Sequence, residues 1–329
     1  MYISVPQPIG NLCRCCAMEA VHEALIVLRS PSIWVLLVGF SLLAVEAFAQ
    51  SRPRRREVWS DNAADLFAPI EDDEFRRGPL FGAWGESETS DPNAEPEPIA
   101  TDRPDFTESS TTVGAGVAQI EAGYTYTRNA DDNLHGHSWG EPLLRVGVYA
   151  DWLELRAALD PGSEVSDGHS QSGLQHLYLG LKLGLTAQSD WLPEVAIVPQ
   201  MTVPSGSSSF TADRTLPGCN LLYGWDVTET WATGGSTQVN LAVDGDDAYV
   251  EWAQSWTVAL ALADNVGFYT EWFAILPEES SAVDSEHYLN GGLTWQPNDD
   301  IQWDARIGTG LNDAAADFFC GIGLSVRFR

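Results

Sequence analysis

From Val113 to the C-terminus, hydrophobic and polar residues alternate with a period of two in one short segment after another. In Leu174–Leu185, Leu177, Leu179, Leu181, Leu183 and Leu185 share one parity, and His176, Tyr178, Gly180, Lys182 and Gly184 share the other. The last segment sets Phe318, Cys320, Ile322, Leu324, Val326 and Phe328 against Phe319, Gly321, Gly323, Ser325 and Arg327. Side chains of a strand project alternately to its two faces, so each segment predicts a strand with one apolar and one polar face. Twelve strands are expected, at 116–128, 141–150, 152–160, 174–185, 192–203, 217–227, 231–243, 248–262, 265–275, 286–296, 300–310 and 317–328.

The connections sort by length. Those after strands one, three, five and nine span about ten residues or more, as in Asn129–Gly140 and Pro204–Leu216, while those after even-numbered strands are tight. Long loops at one end and short turns at the other are the organisation of a transmembrane antiparallel β-barrel, an all-β fold. An even strand count puts both chain ends on the tight-turn side, the expected periplasmic side. Trp152, Trp191 and Trp231 each follow a short turn, where an interfacial aromatic girdle is expected.

Polar-parity positions carry Glu121, Arg145, Glu154, Arg156, Lys182, Glu251, Glu271, Asp304 and Arg306, the candidates for lining the lumen. Two readings stand side by side: these charges pair across strands and fill a narrow barrel, or they line a solute pathway. Arg145, Arg156 and Lys182 fall on strands two to four, and Glu251 and Glu271 on strands eight and nine. A basic wall facing an acidic wall would set a transverse field across a pore.

Upstream of the barrel the texture changes. Ile33–Val45 is an apolar run too short for a membrane-spanning helix, which needs about 20 residues. With Arg29 before it and Ala47-Phe48-Ala49 after it, the run predicts a signal peptide over 1–49, cleaved after Ala49; Met18 is an alternative start. Residues 50–100 open on Arg52-Pro53-Arg54-Arg55-Arg56 and turn acidic and proline-rich, the composition of a disordered periplasmic linker. The barrel is assigned to 101–329, and the expected location is the cell outer membrane.

Composition narrows the function. Lys+Arg is 17 against Asp+Glu 47, a net charge of −30, which repels phosphate backbones and excludes nucleic acid as a partner. The expected partners are outer-membrane lipids and a small-molecule solute, with no oligomer required. Of five cysteines only Cys219 and Cys320 follow the leader, so no disulfide framework is expected.

No catalytic set, cofactor or metal site is expected. Ser285 and His287 share the lipid-facing parity of Leu289 and Leu293, but a Ser–His nucleophile needs a third, orienting group, and none is evident. Lipid hydrolysis is therefore the least favoured reading. His135 and His137 form an H-x-H in the first long loop, and Asp244-Gly245-Asp246-Asp247 lacks full EF-hand spacing; both read better as solvated turns. There is no phosphate-cradling or dinucleotide motif.

The stretch Thr101-Asp102-Arg103-Pro104-Asp105-Phe106-Thr107-Glu108-Ser109, followed by Gln119-Ile120-Glu121 and Gly123-Tyr124-Thr125-Tyr126, resembles the opening of the bacterial outer-membrane family labelled "MetA-pathway of phenol degradation". The resemblance covers about residue 100 to 329. It implies an outer-membrane channel or transporter barrel for small aromatic or hydrophobic compounds, and it carries no catalytic residues. Pro104 between two aspartates suits a turn leading into the first strand. The other surviving class is a structural or adhesive barrel with a closed lumen.

Overall fold

The computed structural model describes residues 78–80, 97–130, 133–166, 169–207, 211–212, 214–245, 247–278 and 283–329. The expected signal peptide and nearly all of the expected linker lie outside the described residues. Twelve strands follow in chain order: β1 (Ala118–Asn129), β2 (Leu134–Gly147), β3 (Leu153–Ser166), β4 (His169–Thr186), β5 (Glu194–Val203), β6 (Leu216–Asp226), β7 (Trp231–Asp244), β8 (Asp247–Ala263), β9 (Val266–Glu278), β10 (Glu286–Asn298), β11 (Ile301–Gly310) and β12 (Phe318–Phe328). Each pairs antiparallel with its sequence neighbours, and β1 pairs with β12 from Ala118↔Phe328 to Arg128↔Phe318, so the sheet closes into a barrel. Closure leaves no unpaired edge.

The alternation places side chains as the sequence predicts, and burial is inverted relative to a soluble protein. Lys182 and Arg145 are 0% exposed, whereas Ile322 is 60% and Ile307 59% exposed on the outer wall. An apolar belt of this extent calls for an apolar medium around it. At the end of the barrel that holds the even-numbered turns, Trp191 and Trp231 project outward and Trp152 is half-buried.

One expectation is corrected. The segments after β1 and β3 are mostly not loops: β2 begins at Leu134, and β3 and β4 run to Ser166 and from His169, so these hairpins extend the wall. Their outward residues His135, His137 and Ser163 are polar. Ladder hydrogen bonds form regardless of side-chain polarity, so a strand that continues beyond the apolar belt loses its alternation without losing its pairing. The longest connection is 204–215 after β5; those after β9 and β11 are shorter, and the β4–β5 connection over 187–193 matches them in length, so the even-numbered turns are not all tight.

Candidate functional site

Residues 97–113, which precede β1, run inside the barrel. The geometry leaves no alternative, because this one short segment touches strands all around a closed ring. Its Asp102 meets β1 through Glu121 and β4 through Lys182. Arg103 reaches Glu141 on β2 and Asp304 on β11. Thr107 meets Ser255 on β8 and Glu271 on β9, and Thr111 meets Glu194 on β5. Both ends of the segment lie at the turn end. Ile99 donates from its backbone to Asp299 in the β10–β11 turn, and Thr112 donates to the Asp151 carbonyl in the β2–β3 turn. Gly78 and Leu80 also dock at that end, on Asp151 and Gly184.

Asp102 is the anchor. Its carboxylate lies 2.9 Å from Lys182 Nζ, 2.7 Å from Arg156 Nη2 and 3.4 Å from Arg145 Nη1, and it accepts the Ser109 N–H at 3.0 Å. Burial alone would raise its pKa, but Arg145, Arg156 and Lys182 outweigh burial and hold the carboxyl well below the usual range. The surrounding cations each have further partners. Arg145 donates to Glu154 (2.8 Å), Glu121 (3.1 Å) and the carbonyls of Ala100 and Thr111. Arg156 makes a bidentate pair with Glu108, both bonds 3.1 Å long, and Lys182 also donates to the Ser109 carbonyl. Burial would raise the Glu108 pKa as well, but Arg156, helped by Lys182, keeps it below the usual value. Such a buried network is tolerable only because every charge has a partner.

The far wall is held differently. Glu271 accepts the backbone N–H groups of Phe106 (2.7 Å) and Thr107 (2.6 Å), the Thr107 hydroxyl and the Asn290 amide. Arg306 donates to the Pro104 carbonyl and to Thr125, and Asp304 receives Arg103. The Arg103 guanidinium fits in a slot over the paired glycines Gly123 and Gly323, where any Cβ would overlap it. At the apex of the segment Phe106 stacks on Phe273 with centroids 4.5 Å apart, and Phe273 stacks on Tyr288 at 4.6 Å. Ala253, Phe319 and the β11–β12 connection residues Ala315 and Ala316 complete this apolar cluster.

Eight of the nine sequence candidates are therefore drawn around the segment: Glu121, Arg145, Glu154, Arg156, Lys182, Glu271, Asp304 and Arg306, all buried. Glu251 is not among them; it is half-buried toward the loop end and takes a hydrogen bond from Tyr249. The expected basic wall facing an acidic wall is corrected. The carboxylates of Asp102 and Glu108 neutralise the basic side from within, and backbone N–H groups and Thr107 clasp Glu271. Sequence reading missed the partners on the segment, Asp102, Arg103, Phe106, Thr107 and Glu108, by treating Pro104 and its aspartates as a lead-in turn. The available signal was a charged stretch without period two, placed between linker and strand, whose acids match the unpaired basic parity of strands two to four.

The other candidates are placed as follows. His135 and His137 belong to β2, where their Nδ1 atoms are hydrogen-bonded to the hydroxyls of Tyr126 (2.7 Å) and Tyr124 (2.8 Å). His287 stacks on Trp272, and its backbone N–H and the Ser285 carbonyl are both bound by Asn312. Gly245 takes the left-handed conformation in the β7–β8 turn, and Asp246 lies outside the described residues.

Residues 101–328 match the family described as "Putative MetA-pathway of phenol degradation". No curated protein sequence matches the chain. Among solved structures, an outer membrane channel from Pseudomonas putida F1 is similar at 13% identity and a TM-score of 0.53, covering 74% of this chain and 100% of that one. The NanC porin is similar at 11% identity and a TM-score of 0.43, covering 64% of this chain and 98% of that one.

Proposed function

The chain belongs to the family described as MetA-pathway of phenol degradation, and from that premise we propose that it is a channel of the outer membrane for small solutes, with no enzymatic activity, whose conduction is set by residues 97–113 in its lumen. The observation that carries this reading is the occupied polar lumen inside an apolar outer wall. A barrel built only as a rigid support has no need to thread its own chain through the interior and hold it by ion pairs. The outer membrane channel of like fold supports a channel, and the family's description supports small aromatic compounds as the solute class. The turn end then faces the periplasm, and the segment enters the lumen from that side.

Two measurements test the proposal. Reconstituted protein should give single-channel steps in planar bilayers, and liposome swelling should admit small aromatic solutes ahead of sugars and amino acids of equal mass. A silent bilayer together with a flat swelling panel would overturn the channel in favour of a closed structural barrel.

Membrane placement has its own test. Ile322 lies midway along β12 and points outward. Ile322→Arg should cost about 2–4 kcal/mol of folding stability in lipid, as a cation does near the midplane of a barrel wall. Folding titrations in urea with vesicles read this directly, and a change under ~0.5 kcal/mol would contradict an outward face in lipid.

A further inference from the structure

Outside the lumen, the loop end of the β1–β2 hairpin carries a side-chain cluster that the lumen segment does not touch. Thr125 points into the barrel, where Arg306 holds it, so its neighbours in alternation, Tyr124, Tyr126 and Arg128, point outward. Their register partners on β2 are Trp139, His137 and His135, in that order. These side chains are in contact. Tyr124 lies against Trp139 with ring centroids 4.6 Å apart, His137 stacks on Trp139 at 5.8 Å, and Tyr126 meets His137 at 5.3 Å. The Tyr124 hydroxyl is hydrogen-bonded to His137 Nδ1 at 2.8 Å, and the Tyr126 hydroxyl to His135 Nδ1 at 2.7 Å. Arg128 is exposed and stands directly opposite His135 on the same face.

Charge, donors and height single this patch out. Each neutral Tyr–His pair holds one O–H and one N–H, and the bond between them consumes one, so either tautomer leaves a donor unspent. Arg128 adds a guanidinium. The flanking positions in register, Ser163 and Val165 on β3 and Phe318, Cys320 and Ile322 on β12, are uncharged. In a chain whose acids outnumber its bases 47 to 17, a cationic patch free of acids is an exception. The first acid at its rim, Asp317, accepts the Ala130 N–H, while Asp131 and Asp132 lie outside the described residues. The ten steps from Ala118 to Arg128 span about 33 Å along the strand and about 25 Å across a membrane at the usual tilt, the height of the apolar band of a barrel wall. Arg128 and His135 therefore stand at the upper edge of that band, where headgroups begin, with Tyr124 and Trp139 below them.

We propose that this outward patch docks the phosphorylated glycolipid of the outer leaflet, an acylated disaccharide phosphate. The inference rests on the orientation given above, with the turn end in the periplasm and the loop end outside. A phosphate monoester offers several acceptor oxygens and negative charge, which a guanidinium meets with paired, charge-assisted hydrogen bonds. The two Tyr–His pairs supply further donors beside it. Trp139 is 52% exposed and carries His137 nearly parallel beside it, a flat aromatic surface on which a sugar ring can lie. Below it, Tyr124 packs along the first acyl carbons, as interfacial aromatics do. A second copy of the chain is a poorer occupant, since a two-fold contact through this face would set Arg128 against its own equivalent.

Docking needs the folded barrel but not conduction, so it is measured on full-length protein refolded in a neutral detergent, dodecyl maltoside. The probe is lipid A carrying both phosphates, compared with the same lipid stripped of phosphate and with phosphatidylglycerol at equal charge. Lipid A should raise the Tm by about 4 °C at ten times its Kd, and the two comparison lipids should leave it unchanged. Arg128→Ala combined with His135→Ala should weaken binding at least tenfold while heat-modifiable mobility is kept, and Arg128→Lys alone should retain most of it. Should the double variant not fold, Arg128→Glu, a single exposed change, should show the same loss. An equal Tm rise from either comparison lipid, or undiminished affinity in the substituted barrels, overturns the docking site. Orientation is read separately. Asn133→Cys, in the turn of this hairpin, should react with an impermeant maleimide on intact cells above the level of the unmodified protein. No reaction would set the patch against the inner leaflet and overturn the glycolipid as its occupant, leaving the conduction measurements untouched.

Discussion

Asp102→Ala is expected to release the lumen segment from the β2–β4 wall. Three cations, Arg145, Arg156 and Lys182, converge on this one carboxylate, and all are nearly or fully buried. Removing one partner of a buried ion pair typically costs about 3–5 kcal/mol, because the remaining charge stays in a low-dielectric site without compensation. Glu154, Glu121 and Glu108 retain part of the balance for the arginines, but Lys182 keeps, among the described residues, the Ser109 carbonyl as its hydrogen-bond acceptor and Glu154 on the facing strand as a charged neighbour. The outcome should be a markedly lower Tm and, under the channel proposal, a larger single-channel conductance. Asp102→Asn preserves shape and an acceptor for the Ser109 N–H, so it should fall between the two. Acid should not mimic the mutation readily. The folded-state pKa of Asp102 is depressed, so its stabilisation is complete above the ordinary carboxylate range of about 4 and is lost only as pH falls toward the lower folded value. Unchanged Tm and conductance in Asp102→Ala would mean that the segment is held elsewhere.

What the sequence showed and hid follows from how each feature is encoded. Wall positions repeat every second residue, so Leu177–Leu185 and Phe318–Phe328 announced both the strand and its outward face. Eight charges on the opposite parity could be assigned to the interior for the same reason. The segment 97–113 has no period, because its contacts are individual: Asp102 serves three cations on three strands, while Arg103 turns to the opposite wall. Nothing local in TDRPDFTES specifies partners that lie up to 219 positions away, as Ile322 does from Arg103. Each wall charge therefore seemed to need a neighbour on the wall, and Arg145–Glu154 supplied one. The extended β2–β3 and β3–β4 hairpins were hidden for a related reason, since backbone pairing beyond the apolar belt leaves no hydrophobic trace.

Deleting Ser325–Arg329 should abolish the folded barrel. These residues supply the last rungs of the closing seam, with Ser325, Val326, Arg327 and Phe328 opposite Glu121, Ile120, Gln119 and Ala118 on β1. On the other side Ser325 and Val326 pair with Gln302 and Ile301 of β11. Truncation therefore opens two ladders at once, and each backbone group left unpaired in lipid costs several kcal/mol. Arg327 adds a further tie, donating to Asp300 and to the carbonyls of Glu97 and Asp299 where the lumen segment enters. The seam and the side-chain tie can be separated. Arg327→Ala keeps the strand and should reduce Tm only modestly, by a few degrees, because the ion pair is partly exposed. The truncation should instead leave no band of heat-modifiable mobility in cell envelopes. The ladder, being backbone, has no substitute once its partner strand is shortened, so normal amounts of folded truncated protein would show that closure does not depend on these rungs.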